Sequence, residues 1–239
     1  MKYSAFLETC SKGLWMAHVL DLPGCFLRAS SREEAVNLLP LTILQYLDWR
    51  YHHGEGVKPE EGNIQVIVNE EINGMGPFDP GDDAALFAPE LERITPQEME
   101  PYYRLMAHSR VDLLDLSMTI TQDMLDSQPE PGSFSIRRIL RHIGNAEEWY
   151  VSRILPPGRL PPEWENDENL PIFDYLEMER RTALVCLRNF TDEERSGVFH
   201  PIRWTTHPSE SWTARKVLRR FIEHEREHTA QLVNIIRRR

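Results

Sequence analysis

The sequence predicts an α+β chain in two parts, a small β-β-β-α-β module followed by an all-α four-helix bundle. Three observations predict this. Short apolar runs broken by turn formers fill the first 29 residues. Residues 73–83 then stack Asn, Gly, Pro and Asp with no apolar period. Beyond residue 97, apolar positions recur three and four apart over long stretches. A chain of 239 residues suits one large domain or two small ones.

The elements follow in order. Ser4 to Thr9 and Leu14 to Leu20 read as strands joined by the turn Ser11-Lys12-Gly13. After Asp21-Leu22-Pro23-Gly24, Cys25 to Ala29 reads as a third. Ser31-Arg32-Glu33-Glu34 has capping-box spacing and opens a helix with apolar positions Ala35, Leu38, Leu39, Ile43, Tyr46 and Leu47. Ile64, Val66 and Val68 alternate as a closing strand. Residues 1–72 form the first domain in this reading, and 73–96 a Gly/Pro/Asp-rich linker or a loop in which Phe78, Leu86 and Phe87 pack. Residues 97–239 hold four helices: Pro101 to Gln122, Ser135 to Leu155, Pro171 to Phe190 and Ser211 to Ile236. Their length and amphipathicity favour a bundle. Arg237, Arg238 and Arg239 suit the negative end of the last helix dipole.

Charge narrows the function. The chain carries 27 Lys+Arg against 38 Asp+Glu, a net −11. The linker supplies −4 of it, so both flanking regions are nearly balanced. An acidic chain lacks the basic footprint that gives nucleic acids most of their affinity. The Arg-rich last helix (Arg215, Lys216, Arg219, Arg220, Arg226) reads first as a solvated face pairing with Glu223 and Glu227. No apolar run approaches the ~18–20 residues a membrane span needs, and Met1 to Gly13 lacks a signal-peptide core. Cys10, Cys25 and Cys186 are too few and scattered for a disulfide framework. The expectation is a cytoplasmic protein with no membrane contact.

The run Trp15-Met16-Ala17-His18-Val19-Leu20-Asp21-Leu22-Pro23-Gly24-Cys25-Phe26, followed by Ser31-Arg32-Glu33-Glu34-Ala35, resembles the HicB-like domain of antitoxins. That resemblance spans residues 1–72 and implies the β-β-β-α-β fold. Family antitoxins usually add a DNA-binding segment, where this chain has a helical domain. What carries over is the fold and not the antitoxin function, and a protein partner for this surface is a separate expectation.

The histidines carry the chemical argument. His224 and His228 lie one turn apart on the seam Ala214, Val217, Phe221, His224, His228, Gln231, Ile235. His142 sits beside the inward stripe of the second helix, Ile136, Ile139, Ile143, Ala146 and Tyr150. Imidazoles are costly to bury without partners, and three from two helices can converge on one metal ion. His224-Glu225-x-x-His228 also matches the zinc-peptidase pattern. After it, Thr229 to Arg239 offer no third ligand, and the region shows no edge strand for an extended substrate.

Phe134 to Ile143, Ala146-Glu147-Glu148-Trp149-Tyr150, Trp212 to Leu218 and His224 to Leu232 together resemble the DinB-like (DinB/YfiT) superfamily of metal-binding bundles. The family triad maps onto His142, His224 and His228, and Phe134 stands where many members have Trp. Three neutral imidazoles bind Zn²⁺ or Ni²⁺ and leave a coordination position open. A water or a thiol there becomes a nucleophile. The resemblance implies a thiol S-transferase, with a low-molecular-weight thiol as cofactor, or a hydrolase. Glu225 is the candidate catalytic base or a partner behind the ligands, with a solvated or inter-helix charge as the competing reading, and Glu147, Tyr150 and His108 are candidate pocket residues. A small-molecule substrate, a protein partner for residues 1–72 and a homodimer stay open. So does a non-enzymatic interaction protein with a structural metal.

Overall fold

The computed structural model describes residues 1–59, 62–76, 78, 84–130, 132–165 and 169–238. It divides into a sheet unit, residues 1–91 with 205–210, and a helical unit, residues 92–204 with 211–239.

In the sheet unit, β1 (Lys2–Cys10), β2 (Trp15–His18), β3 (Phe26–Ala29) and β4 (Gln65–Met75) form one sheet in the order β3-β2-β1-β4. β1 pairs antiparallel with β2 (Leu7 opposite Ala17) and parallel with β4 (Tyr3 opposite Val66). The helix α1 (Arg32–His52) lies between β3 and β4, with the Ser31 hydroxyl accepting from the Glu34 N–H as its cap. Ala35, Leu39, Ile43 and Tyr46 are its buried positions, whereas Leu38 is exposed and Leu47 half-buried.

Alternation along β1 gives the sheet two apolar faces. Ala5 and Leu7 join the cluster built with α1. Phe6 packs with Ala85 and Phe87, and Cys10 with Met16 and Phe78. Both findings bear on the segment read as a linker. β4 runs on through Met75, so Asn73 and Gly74 are strand residues. Ala85 and Phe87 are fully buried. Residues 77 and 79–83, the most turn-rich part, lie outside the described residues.

Residues 84–88 form no strand, so their backbone donors need other partners. Four glutamates supply them. Glu210 accepts from the Ala84 N–H (2.8 Å), Glu8 from Ala85 (2.9 Å), Glu90 from Phe87 (3.0 Å) and Glu70 from Ala88 (2.8 Å). The other Glu8 oxygen meets His18 Nε2 at 2.9 Å, both side chains being fully buried.

The helical unit has four long helices: α2 (Pro96–Ser117), α4 (Ile136–Val151), α5 (Ile172–Arg188) and α7 (Ala214–Arg237). Two short ones, α3 (Gln122–Asp126) and α6 (Asp192–Ser196), escaped the sequence pattern because five residues carry too little periodicity. α2 starts five residues before the expected Pro101. Thr95 and Glu98 form a capping box there, with Pro96 at the first position, where its missing N–H costs nothing. α4 begins after Ser135 as its spacing predicts, and α7 after Thr213 instead of at Ser211. α4 and α5 approach closely at Gly144, where a Cβ would lie 2.3 Å from the Tyr175 ring. Cys10, Cys25 and Cys186 are buried and form no disulfide among the described residues. Among the described residues no helix is long and apolar enough to cross a membrane.

Candidate metal centre

α4 and α7 pack against each other and carry the three histidines. His142 lies two turns into α4, and His224 and His228 lie at and beyond the middle of α7. Local hydrogen bonding alone places the α7 pair on one face, because four residues are slightly more than one turn. Tertiary packing brings in His142. Its Nε2 lies 3.0 Å from His224 Nε2, which lies 3.2 Å from His228 Nε2. The three ring centroids are 4.4–4.8 Å apart. All three candidate ligand atoms fall within 4.8 Å of one another.

This geometry fits a metal. Bonds of 2.0–2.1 Å at a tetrahedral angle put ligand nitrogens about 3.3 Å apart. Nitrogens that face one another can share only a proton otherwise, and one proton cannot satisfy three acceptors. His228 Nδ1 also contacts Gln231 Oε1 at 2.7 Å, and the amide oxygen can only accept. The contact therefore fixes the proton on Nδ1 and leaves the Nε2 lone pair for a ligand bond. Partial desolvation where the otherwise exposed His142 packs against its neighbours, with repulsion from His228, lowers its pKa to about 4. It is neutral at pH 7, the form a metal requires.

The triad is less deeply buried than the sequence seam predicts. His224 is buried, His228 half-buried, and His142 and Gln231 exposed. The first half of that seam, Ala214, Val217, Phe221 and His224, is buried, and the interior of α7 also takes in Leu218, Ile222, Glu225 and Leu232. The triad therefore lies at the margin of the core.

Glu225 turns away from that margin into a buried group of four charges, one from each long helix. Arg110 of α2 donates through Nε to Glu225 (2.6 Å), through Nη2 to Glu147, and through Nη1 to the Leu176 carbonyl (2.6 Å). Arg180 of α5 donates to both Glu147 oxygens (2.8 and 3.0 Å), to Glu225 (3.1 Å) and to the Met106 carbonyl (2.8 Å). Burial pushes the Glu225 pKa up, but Arg110 and Arg180 together outweigh it and hold the carboxyl below its ordinary value. The same pairing raises Arg180 against its own desolvation. Both oxygens of Glu225 are thus occupied by guanidinium groups, and the residue holds the backbone next to His224.

Of the other candidates, Glu147 belongs to this group, and Tyr150 stands edge-on to His224 with centroids 5.8 Å apart. Burial raises the Tyr150 pKa, so it stays protonated. His108 is half-buried and outside the triad. The basic face of α7 is not solvated. Lys216, Arg219 and Arg220 are buried, and both arginines donate to Glu223. Sequence reasoning missed Arg110, Arg180 and the orienting role of Gln231.

The DinB superfamily model matches residues 105–232, which contain the triad and all four quartet charges. No curated protein matches the chain. A solved structure of YfiT from Bacillus subtilis, described as a probable metal-dependent hydrolase with an unusual four-helix bundle topology, is 17% identical with a TM-score of 0.46. That match covers 62% of this chain and 90% of YfiT.

Proposed function

The chain belongs to the DinB superfamily, and from that premise we propose that it is a metal-dependent enzyme acting on a small molecule. One observation carries the reading: three imidazole nitrogens converge from two helices at metal-ligand spacing. His142, His224 and His228 would hold a divalent metal, Zn²⁺ or Ni²⁺ by the chemistry of an all-nitrogen donor set. A metal with three protein ligands keeps a position open and, when bound, turns a water or a thiol into a nucleophile near neutral pH.

The protein's own residues supply the rest. Gln231 holds the His228 tautomer, and neutral His142 needs no deprotonation before binding. Arg110, Glu147, Arg180 and Glu225 fix the separation of α4 and α7 and hence of the ligands. Glu225, held by two arginines, serves as a positioning residue beside His224 and not as the base.

Between the two nucleophiles we favour the thiol, a low-molecular-weight cofactor for S-transfer, with hydrolysis as the second outcome. The test uses protein made without a His tag. Metal near one equivalent per chain, lost in His142→Ala and His224→Ala, is expected. Full occupancy in His142→Ala would remove that residue from the site. In Ni²⁺-loaded protein, a thiolate charge-transfer band on adding a thiol separates the thiol reading from the water reading. We also read residues 1–72 as a HicB-like module for a protein partner, supported by the strand order and the Asp21-Leu22-Pro23-Gly24 turn. A pull-down in which that module is dispensable would count against it.

A further inference from the structure

The loop between α6 and α7 carries an anomaly that the metal triad does not use. Trp204 has φ +52°, and among the described residues it is the one non-glycine with positive φ. A bulky side chain adopts that region only when its surroundings enforce it, and such strain gathers at working sites. Here the enforcement is visible. Trp149 donates its indole N–H to the Trp204 carbonyl (2.9 Å), and Arg153 donates to the Arg203 carbonyl (2.9 Å). The Phe199–Trp212 bridge, two backbone bonds of 2.8 Å, ties the two ends of the loop together.

The constraint holds apolar groups out in water. Trp204 is 47% exposed and Ile202 72% exposed. The Arg203 guanidinium stacks 3.8 Å from the Trp204 ring centroid and backs it. Folding gains nothing from an exposed Ile and Trp on a strained backbone, so a bound molecule is the simplest beneficiary.

The loop is held by the helix face that carries His142. Trp149, which holds it, lies seven residues from His142 and on the same face of α4, about 10.5 Å along the axis. The Trp149 ring meets Tyr150 at 5.3 Å and Trp212 at 5.4 Å, and Tyr150 meets His224 at 5.8 Å. Buried Tyr150 thus packs between His224 and Trp149, whose indole N–H holds the loop.

We propose that Trp149, Ile202 and Trp204 form the apolar wall of the substrate site, and that the substrate bears an apolar arm some two helical turns long beside the group that meets the metal. This rests on the metal reading above. The strained backbone of Trp204 holds the wall open before the substrate arrives, so its ordering cost falls on folding and not on binding.

Two hydroxamates test this on the zinc-loaded full chain by calorimetry. Acetohydroxamate reaches only the metal, and octanohydroxamate adds a chain long enough to lie along the wall. The expected result is octanohydroxamate binding at least about tenfold tighter, from several buried methylenes. Trp204→Gly should abolish most of that preference and leave acetohydroxamate unchanged. Glycine adopts positive φ freely, so this variant keeps the fold. Ile202→Ser should lower the preference by a smaller factor. A preference near one in the wild type, or one that survives Trp204→Gly, overturns the wall. Failure of both hydroxamates to bind zinc-loaded protein overturns the metal reading and the wall with it.

Discussion

In the helical unit four buried charges neutralise one another, two guanidinium groups against two carboxylates. In the sheet unit Glu8, Glu70, Glu90 and Glu210 face backbone N–H groups at residues 84–88, with no guanidinium in those bonds. The difference lies in what each arrangement does. Residues 84–88, a strap across the sheet unit, lack a ladder, and the glutamates accept from their N–H groups, of which those of Ala85 and Phe87 belong to buried residues. The quartet satisfies no elementary need of a helix bundle, since well-packed apolar residues can replace such a group at little cost. It contributes geometry: each arginine touches both carboxylate-bearing helices, the same two that carry the triad.

The largest effect should come from breaking the quartet. Arg110→Met leaves two carboxylates to one guanidinium, and we expect a loss of about 3–5 kcal/mol in urea unfolding. Arg110→Met with Glu225→Leu should recover part of it, and a double variant no better than the single would show that the charges do not act as a unit. In the strap, Glu8→Ala removes the carboxylate that the Ala85 N–H and His18 Nε2 meet, for about 1–3 kcal/mol. A cost equal to that of Arg110→Met would erase the distinction between the two arrangements. Glu70→Ala should cost less, under about 1 kcal/mol, because the Ala88 N–H is exposed and water replaces the carboxylate.

The smallest effect is the pH dependence at Glu98, the capping carboxylate of α2. Hydrogen bonds from the Thr95 backbone, Arg215 and the Thr95 hydroxyl lower its pKa to about 2. A depressed carboxylate stabilises fully above its unfolded value near 4.5 and loses that contribution as pH falls towards 2. Glu98→Gln should therefore lower Tm at pH 7 and match the wild type near pH 2. A difference that stays constant across this range would show a cap independent of charge.

Much of this could be read locally. The Ser31 and Ser135 caps, the strand turns and the α7 histidine pair depend on residues within one or two turns of each other. The quartet left a signal too. Arg110 stands in the buried series Tyr103, Met106, Arg110, Leu113, Ser117, and Arg180 lies between Leu176 and Ala183. Glu147 lies between Ile143 and Tyr150, and Glu225 between Phe221 and Leu232. Each long helix thus carries a charge at a core position, two of each sign. Steps of three and four from Ala214 lead through His228 to Gln231, which is exposed, and bypass Glu225, which is buried.

The sequence by itself determined the two-part α+β organisation, the long helices and which residues could ligate a metal, because these follow from backbone periodicity and side-chain chemistry. Only the tertiary structure decided that His142 meets a residue 82 positions away, and that Arg110 meets one 115 away. It also turned residues 84–88 into a strap and forced Trp204 into positive φ. The physical reason is one of range. Helix and strand bonds are chosen among near neighbours, whereas these contacts exist only after whole elements have packed and each buried polar group has had to find a partner.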